Sequence, residues 1–239
     1  MRTLFSLILL YALLGITSAM AADAPTRPAA VAGTGVRTVY LVRHGFYEPD
    51  SSADPRFGPG LNPLGREQAA IVGRYLAALP VKFSSMTSSM LTRARETADV
   101  MTRSMHMRVE RDSLLNECTP RSGNPAQNRG ATEAEIAASE TQLQAAWTKY
   151  MRASPEADTH DVLVAHGNVI RWFVAKAVAG ETQMWGNMDI AHASVSVLTV
   201  RPDGKVRLVM FSDLNDLPLD KQTWAGRGPG WAKPGLGMK

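Results

Sequence analysis

Two short apolar runs in this chain end in the same way. Val39-Tyr40-Leu41-Val42 leads into Arg43-His44-Gly45, and Asp161–Ala165, centred on Val162-Leu163-Val164, leads into His166-Gly167-Asn168. Continuous apolar runs of this length, rich in β-formers, predict strands buried on both faces. Between them the period changes. Ala69, Ile71, Val72, Tyr75, Leu76 and Leu79 share a helical stripe behind Asn62-Pro63, a cap residue followed by a proline suited to the first helical position, and Pro80 closes it. Lys82–Ser88 predicts a strand, Met90–Met105 a helix and Arg108–Glu110 a short strand. Thr132 and Glu135 form a capping-box pattern for a helix running to about Arg152, and Val169–Val178 predicts another helix. Ser194–Val200 and Lys205–Phe211 flank Pro202-Asp203-Gly204, a hairpin turn pattern. Phe46–Leu61 and Asn116–Gly130 read as loops, and no solenoid period recurs. Strands alternating with helices predict the α/β class: a three-layer α/β/α sandwich on a mostly parallel mixed sheet.

The ends carry a different pattern. Arg2, the apolar Leu4–Ile16 and Ser18-Ala19-Met20-Ala21 predict a signal peptide over 1–21, cleaved after Ala21, with export to a periplasmic or extracellular space. The alternative is an uncleaved membrane anchor, for which the apolar run is short. Residues 22–35 read as a flexible leader, 36–214 as the folded domain and 215–239 as a Pro/Gly-rich surface tail. At 239 residues, 45% hydrophobic and 20% charged, the chain has enough material for one large core, which excludes wholesale disorder. The formal charge of +4 favours anionic ligands. No basic run with interleaved aromatics and no zinc-finger or RNA-binding motif occurs, so no nucleic-acid partner is expected. Cys118 is the single cysteine, so neither an intrachain disulfide nor a thiolate metal cluster can form.

Candidate chemistry gathers where the two histidine strands end. Ligands of open α/β sheets bind at the carboxyl ends of the strands. If these two strands are neighbours, His44 and His166 face one pocket with Arg43 beside them. Arg93, near the start of the helix after Lys82–Ser88, points to the same mouth, and helix N-termini there favour anions. Two arginines and two histidines suit a tetrahedral dianion, because the guanidinium fork binds phosphate oxygens in pairs. Gly45 is expected to turn the backbone and bring its N–H to the ligand. Asn168 either caps its helix or bonds the pocket. His192 lies either behind the pocket or on the surface. Arg95 is expected to be solvated or ion-paired, and Cys118 to pack.

Five stretches in order, LVRHG at Leu41–Gly45, LNPLGREQA at Leu61–Ala69, SSMLTRARETA at Ser88–Ala98, LLNE at Leu114–Glu117 and VLVAHGNVIR at Val162–Arg171, carry a family resemblance. The chain resembles the histidine phosphatase superfamily, also called phosphoglycerate-mutase-like. The resemblance implies His44 as nucleophile, Arg43, Arg93 and His166 as the phosphate pocket, and Glu117 as proton donor. An imidazole is a competent nucleophile near neutral pH. Arg43, Arg93 and a cationic His166 would stabilise the transferring phosphoryl group, and Glu117 would protonate the leaving oxygen and later deprotonate water. No metal and no cofactor is called for. The short stretch between Glu117 and Val162 lacks the long insertion of the family's mutases, and Phe46-Tyr47-Glu48 departs from the R-H-G-x-R-x-P of its acid phosphatases. LGREQA, SSMLTRARETAD, HGNVIRWFVAKAV and VRPDGKVRL are most similar to the branch holding the mitochondrial serine/threonine protein phosphatase. The expected function is therefore metal-independent phosphomonoester hydrolysis through a phosphohistidine, on phosphoserine or phosphothreonine proteins or peptides. The alternatives are a broad small-molecule phosphatase and a catalytically silent phosphate-binding scaffold.

Overall fold

The computed structural model describes residues 33–224. The expected signal peptide at 1–21, the leader as far as residue 32 and the tail from 225 lie outside the described residues.

Six strands form one sheet: β1 (Arg37–Arg43), β2 (Ser85–Ser88), β3 (Val109–Arg111), β4 (Thr159–Ala165), β5 (Val195–Val200) and β6 (Val206–Asp213), in the order β3-β2-β4-β1-β5-β6. The pairs β3–β2, β2–β4 and β4–β1 are parallel, while β5 runs antiparallel to β1 and β6 antiparallel to β5. Helices α1 (Pro63–Ala78) and α2 (Thr92–Met105) cover one face, α3 (Glu133–Tyr150) and α4 (Gly167–Ala179) the other. The alternation of strand side chains sorts the core into two halves. Tyr40, Val42, Val162, Val164, Val195 and Val197 pack with α1 and α2. Val39, Leu41, Leu163, Ala165, Leu198 and Val200 pack with α3 and α4. Burial on both faces is why the central strands read as unbroken apolar runs.

Local chemistry sets the element ends. Asn62 Oδ1 accepts from Gly65 N at 2.8 Å, with Pro63 in the first turn of α1. The capping box of Thr132 and Glu135 starts α3. Two starts differ from expectation. The helix expected from Met90 begins at Thr92, because Met90 N donates to Asn116 Oδ1 and Leu91 N to Ser89 Oγ. The helix expected from Val169 begins at Gly167, with His166 itself as the N-cap. Strand β2 is shorter than Lys82–Ser88, since only Ser85–Ser88 pairs with β4, and Met86–Ser88 with β3 as well.

Residues on both sides of the expected domain, 36–214, dock against it. Thr34 N and Gly35 N donate to Pro155 O and Ser154 O. This docking needs glycine: a Cβ on Gly33 would lie 1.9 Å from Ser154 O and one on Gly35 2.4 Å from Ala157. The expected surface tail is part of the fold through Trp224. Leu217, Gln222 and Thr223 are buried, and Ala191 bridges to Trp224. That segment is held mainly by polar bonds, so it leaves no apolar period to read.

Candidate active site

β1 and β4 are adjacent and in register, Arg43 opposite Ala165, so the residues that follow reach the same edge together. His44 N donates to Ala165 O at 3.0 Å, and the His44 and His166 rings lie 5.0 Å apart, both buried. Arg93, in the first turn of α2, extends its Nε to 3.2 Å from His44 Nε2. The N-termini of α2 and α4 thus open on this edge, where their dipoles favour an anion.

The protonation of His44 follows from its partners. Its Nδ1 lies 2.8 Å from the carbonyl oxygen of Gly45, which can only accept, so Nδ1 carries the proton. Nε2 then holds a lone pair, and Arg93 Nε donates to it. Burial, followed by His166 and the charges of Arg43, His192 and Arg93, holds the His44 pKa well below the usual histidine value. That shift favours the neutral ring with its free lone pair on Nε2.

His166 has a different set of partners. Ser89 Oγ donates to Asn116 Oδ1, which also accepts from Met90 N, so Ser89 has no second proton to give. The 2.8 Å contact between His166 Nε2 and Ser89 Oγ therefore runs from the ring to the hydroxyl. Burial first, then Arg93 and Arg43, holds this ring neutral as well. The cationic form expected of His166 beside a phosphoryl group would draw its second proton from the neighbourhood of that anion. His166 Nδ1 and Arg43 Nε are buried without a hydrogen-bond partner, while Arg43 Nη1 donates to Ile190 O. Burial lowers the Arg43 pKa to about 10, which leaves the guanidinium charged at neutral pH.

Glu117 follows a 3-10 turn at Ser113–Leu115. Desolvation raises its pKa, against the pull of Arg93, Arg43 and Arg171. A carboxyl that keeps its proton longer than usual, set among the same arginines as the nucleophile, can act as an acid. Cys118 next to it is inert, because burial and then Glu117 push its thiol up to about 12.

Two expected ligand contacts are used otherwise. Gly45 N donates to Thr97 Oγ1 at 3.0 Å and does not face the pocket. Its glycine is required by packing: a Cβ would lie 2.4 Å from Gly65 O at the start of α1. The Asn168 side chain is committed on both sides, Nδ2 to Cys118 O at 2.8 Å and Oδ1 from Arg171 Nη2 at 2.6 Å. Arg95 keeps a buried Nε without a hydrogen-bond partner and lies 6.0 Å from the Phe57 ring.

Arg171, Tyr47 and His192 also stand around the site. Arg171 stands at the end of the VLVAHGNVIR stretch, three residues from Asn168 and so on the same helix face, which is the spacing that could have exposed it. Tyr47 stacks under the Arg93 guanidinium at 4.9 Å and meets His44 edge-on at 5.4 Å. His192 lies behind the pocket, 5.5 Å from His44. Its Nδ1 contacts Thr223 Oγ1 at 3.0 Å; Gln68 Nε2 donates to that oxygen, and Gln68 Oε1 accepts from Phe46 N.

A lone-pair nitrogen, two guanidinium groups, helix N-termini and a proton-holding carboxyl at one sheet edge define a phosphoryl-transfer site. The family model of the histidine phosphatase superfamily, branch 1, matches residues 39–152 and 120–213. The chain belongs to the histidine phosphatase superfamily. It is similar to the mitochondrial serine/threonine-protein phosphatase PGAM5 of Xenopus tropicalis, 32% identical over 189 residues, 77% of this chain and 67% of the relative. The Homo sapiens protein of the same name is 33% identical over 193 residues, 78% of this chain and 66% of the relative. The chain thus spans about two thirds of these relatives. In fold it is similar to the phosphoglycerate mutase of Plasmodium falciparum (TM-score 0.54, 22% identity, 77% of this chain and 95% of that one). It is also similar to the mycobacterial glucosyl-3-phosphoglycerate phosphatase (TM-score 0.54, 21% identity, 74% and 99%). Family and sequence relatives together make the chain a phosphatase, a hydrolase of phosphorylated substrates.

Proposed function

We propose that the chain hydrolyses phosphomonoesters without a metal ion, through a phosphohistidine at His44. The observation that carries this reading is the His44 Nε2 lone pair, fixed by the Nδ1–H bond to Gly45 O and faced by Arg93 Nε at 3.2 Å. In the first step Nε2 bonds to phosphorus as the bond to the leaving oxygen breaks, and Glu117 gives that oxygen its proton. Arg43 and Arg93 neutralise the charge on the phosphoryl oxygens, and His166, protonated beside the dianion, joins them. In the second step the Glu117 carboxylate takes a proton from water as the water oxygen bonds to phosphorus and Nε2 leaves. Enzyme quenched in mid-turnover should hold one acid-labile, alkali-stable phosphate on His44, and His44→Ala should lose about 10⁴-fold or more in kcat. Phosphate found on a serine, or a His44→Ala variant with a tenth of the activity, overturns the assignment.

The substrate reading is phosphoserine or phosphothreonine in peptides. Two things support it: the relatives bear the name serine/threonine-protein phosphatase, and an aromatic, Tyr47, stands beside the nucleophile with no long insertion after Glu117. The phosphate clamp would supply most of the binding, so discrimination among esters is modest. A panel of phosphopeptides, sugar phosphates, nucleotides and phosphoglycerates ranked by kcat/KM tests it. One small metabolite preferred over every peptide by about a thousandfold, roughly 4 kcal/mol of transition-state binding, would replace the peptide reading with a small-molecule one. The Arg2 to Ala21 pattern supports export to a periplasmic or extracellular space. N-terminal sequencing of exported protein should begin at Ala22; Met1 retained in a membrane fraction would show an anchor instead.

A further inference from the structure

We propose that Asn168 and Arg171 are positioning residues that clamp the loop carrying Glu117 to the first turn of α4. The inference rests on Glu117 being the proton donor. That loop hangs between two helices. On one side of Glu117, Gln142 of α3 donates from Nε2 to Asn116 O at 2.8 Å; on the other, Ser139 of α3 accepts from Thr119 N at 3.1 Å. These bonds hold the loop to α3, which does not carry the phosphate site. The peptide between Cys118 and Thr119, whose N–H is bonded to Ser139, is tied at its carbonyl to α4. Cys118 O accepts from Asn168 Nδ2 at 2.8 Å, and Asn168 lies two residues beyond His166, the N-cap of α4. One turn of backbone thus fixes a phosphate-facing imidazole and, through one amide, the carboxyl that must reach the leaving oxygen.

Arg171 sets the direction of that amide. Its Nη2 donates to Asn168 Oδ1 at 2.6 Å, so an amide rotated by half a turn would set two donors against each other and leave Cys118 O facing an oxygen. The guanidinium itself has little freedom. Nε donates to Gly167 O at 3.2 Å, Nη1 to Met188 O at 2.8 Å, and the group lies 4.7 Å from the Trp185 ring centre. Its charge also reaches Glu117, so it favours the carboxylate that the second step needs as a base. Asn168 is thereby held at both its amide oxygen and its amide nitrogen, and Arg171 at all three of its guanidinium nitrogens. Proton transfer is sensitive to placement at this scale: a shift of about 1 Å costs on the order of 100-fold.

The test separates positioning from folding by comparing two leaving groups in one protein sample. A phenolate leaves with little help, whereas an alkoxide needs its proton. Asn168→Ala should lower kcat/KM for an alkyl phosphate by about 10- to 100-fold and for 4-nitrophenyl phosphate by about threefold or less. Arg171→Lys, which keeps the charge and loses the fork, should show the same selectivity and serves if Asn168→Ala folds poorly. The double variant Asn168→Ala/Glu117→Gln should be no slower on the alkyl ester than Glu117→Gln alone, because the clamp acts only through that carboxyl. If Glu117→Gln is selective while Asn168→Ala slows both esters equally, or if the two losses multiply in the double variant, the clamp is overturned and Glu117 keeps its role. If Glu117→Gln slows both esters equally, the proton-donor reading falls and the clamp with it.

Discussion

Burial acts in opposite senses on the ionisable groups of this pocket. It lowers the pKa values of His44, His166 and His192 and raises that of Glu117, in each case by disfavouring the charged form. Both shifts run in the sense the proposed reaction needs, toward a neutral His44 and a Glu117 that gives up its proton later than an ordinary carboxyl. A ¹⁵N titration should find His44 neutral, with Nδ1 protonated, at pH 6.5, where an ordinary histidine is about half charged. A midpoint at or above 6.5 would contradict the burial argument. The same groups tie stability to pH. Below about 6.5 the unfolded histidines bind protons that the folded ones refuse, so the unfolded state holds more protons and stability falls as pH falls. Glu117 works in the opposite sense: its folded pKa is raised, so its contribution is lost as pH rises above the ordinary carboxylate range. Tm measured from pH 7.5 down to 5.5 should decrease, and His192→Asn should flatten that slope. A Tm that rises on acidification would mean that the buried rings are charged in the folded state.

At the scale of elements, what the sequence made legible is what apolar period and strand-end chemistry encode. The unbroken runs Val39–Val42 and Val162–Val164 identified the two central strands, and their shared His-Gly endings placed His44 and His166 at one edge. Cap patterns at Asn62 and Thr132 located two helix starts. The element ends that differ are those decided by hydrogen bonds between distant residues. Met90 is drawn out of α2 by Asn116, and His166 serves as cap and pocket residue together. The role of Gly45 was equally hidden, because its reason lies in Gly65, reached only when α1 docks on the strand end. This contact gives a sharp prediction. A Cβ on Gly65 would stand 1.9 Å from Phe46 O, in rigid backbone on both sides. Gly65→Ala should cost about 1–3 kcal/mol as overpacking, and it should lower phosphatase activity, because the peptide that must move adjoins the Gly45 carbonyl that fixes His44. Unchanged melting and unchanged kcat would show that the loop after His44 shifts freely.

Across the whole molecule, the sheet order puts β4 and β1 at the centre, so the pocket stands over the strands that are best buried. The segment after β6 returns beneath that pocket, a step no local pattern announced. Leu217 joins the core on the α1 and α2 side, and Gln222 donates to its carbonyl. Thr223 accepts from Gln68 and pairs with His192, while Gln68 holds Phe46 N. The end of the described chain is thus connected, through two hydrogen bonds of the Gln68 side chain, to the loop that follows His44. A chain ending at Leu214 loses the burial of Leu217, about 2 kcal/mol, and leaves His192 and Gln68 short of a partner, about 1 kcal/mol or more. Its Tm should fall by roughly 6–12 °C, at 2–4 °C per kcal/mol for a domain of this size. Thr223→Ala isolates the polar part: it removes one oxygen that two buried side chains share and should lower Tm by roughly 2–8 °C at 1–2 kcal/mol. If the segment acts on the pocket through this network, Thr223→Ala should also reduce kcat toward alkyl and aryl phosphates by the same factor, since it disturbs His192 and the backbone after His44 and leaves the Glu117 loop alone. A truncated chain that melts within about 2 °C of the full one would show that residues 215–224 rest on the domain without bracing it.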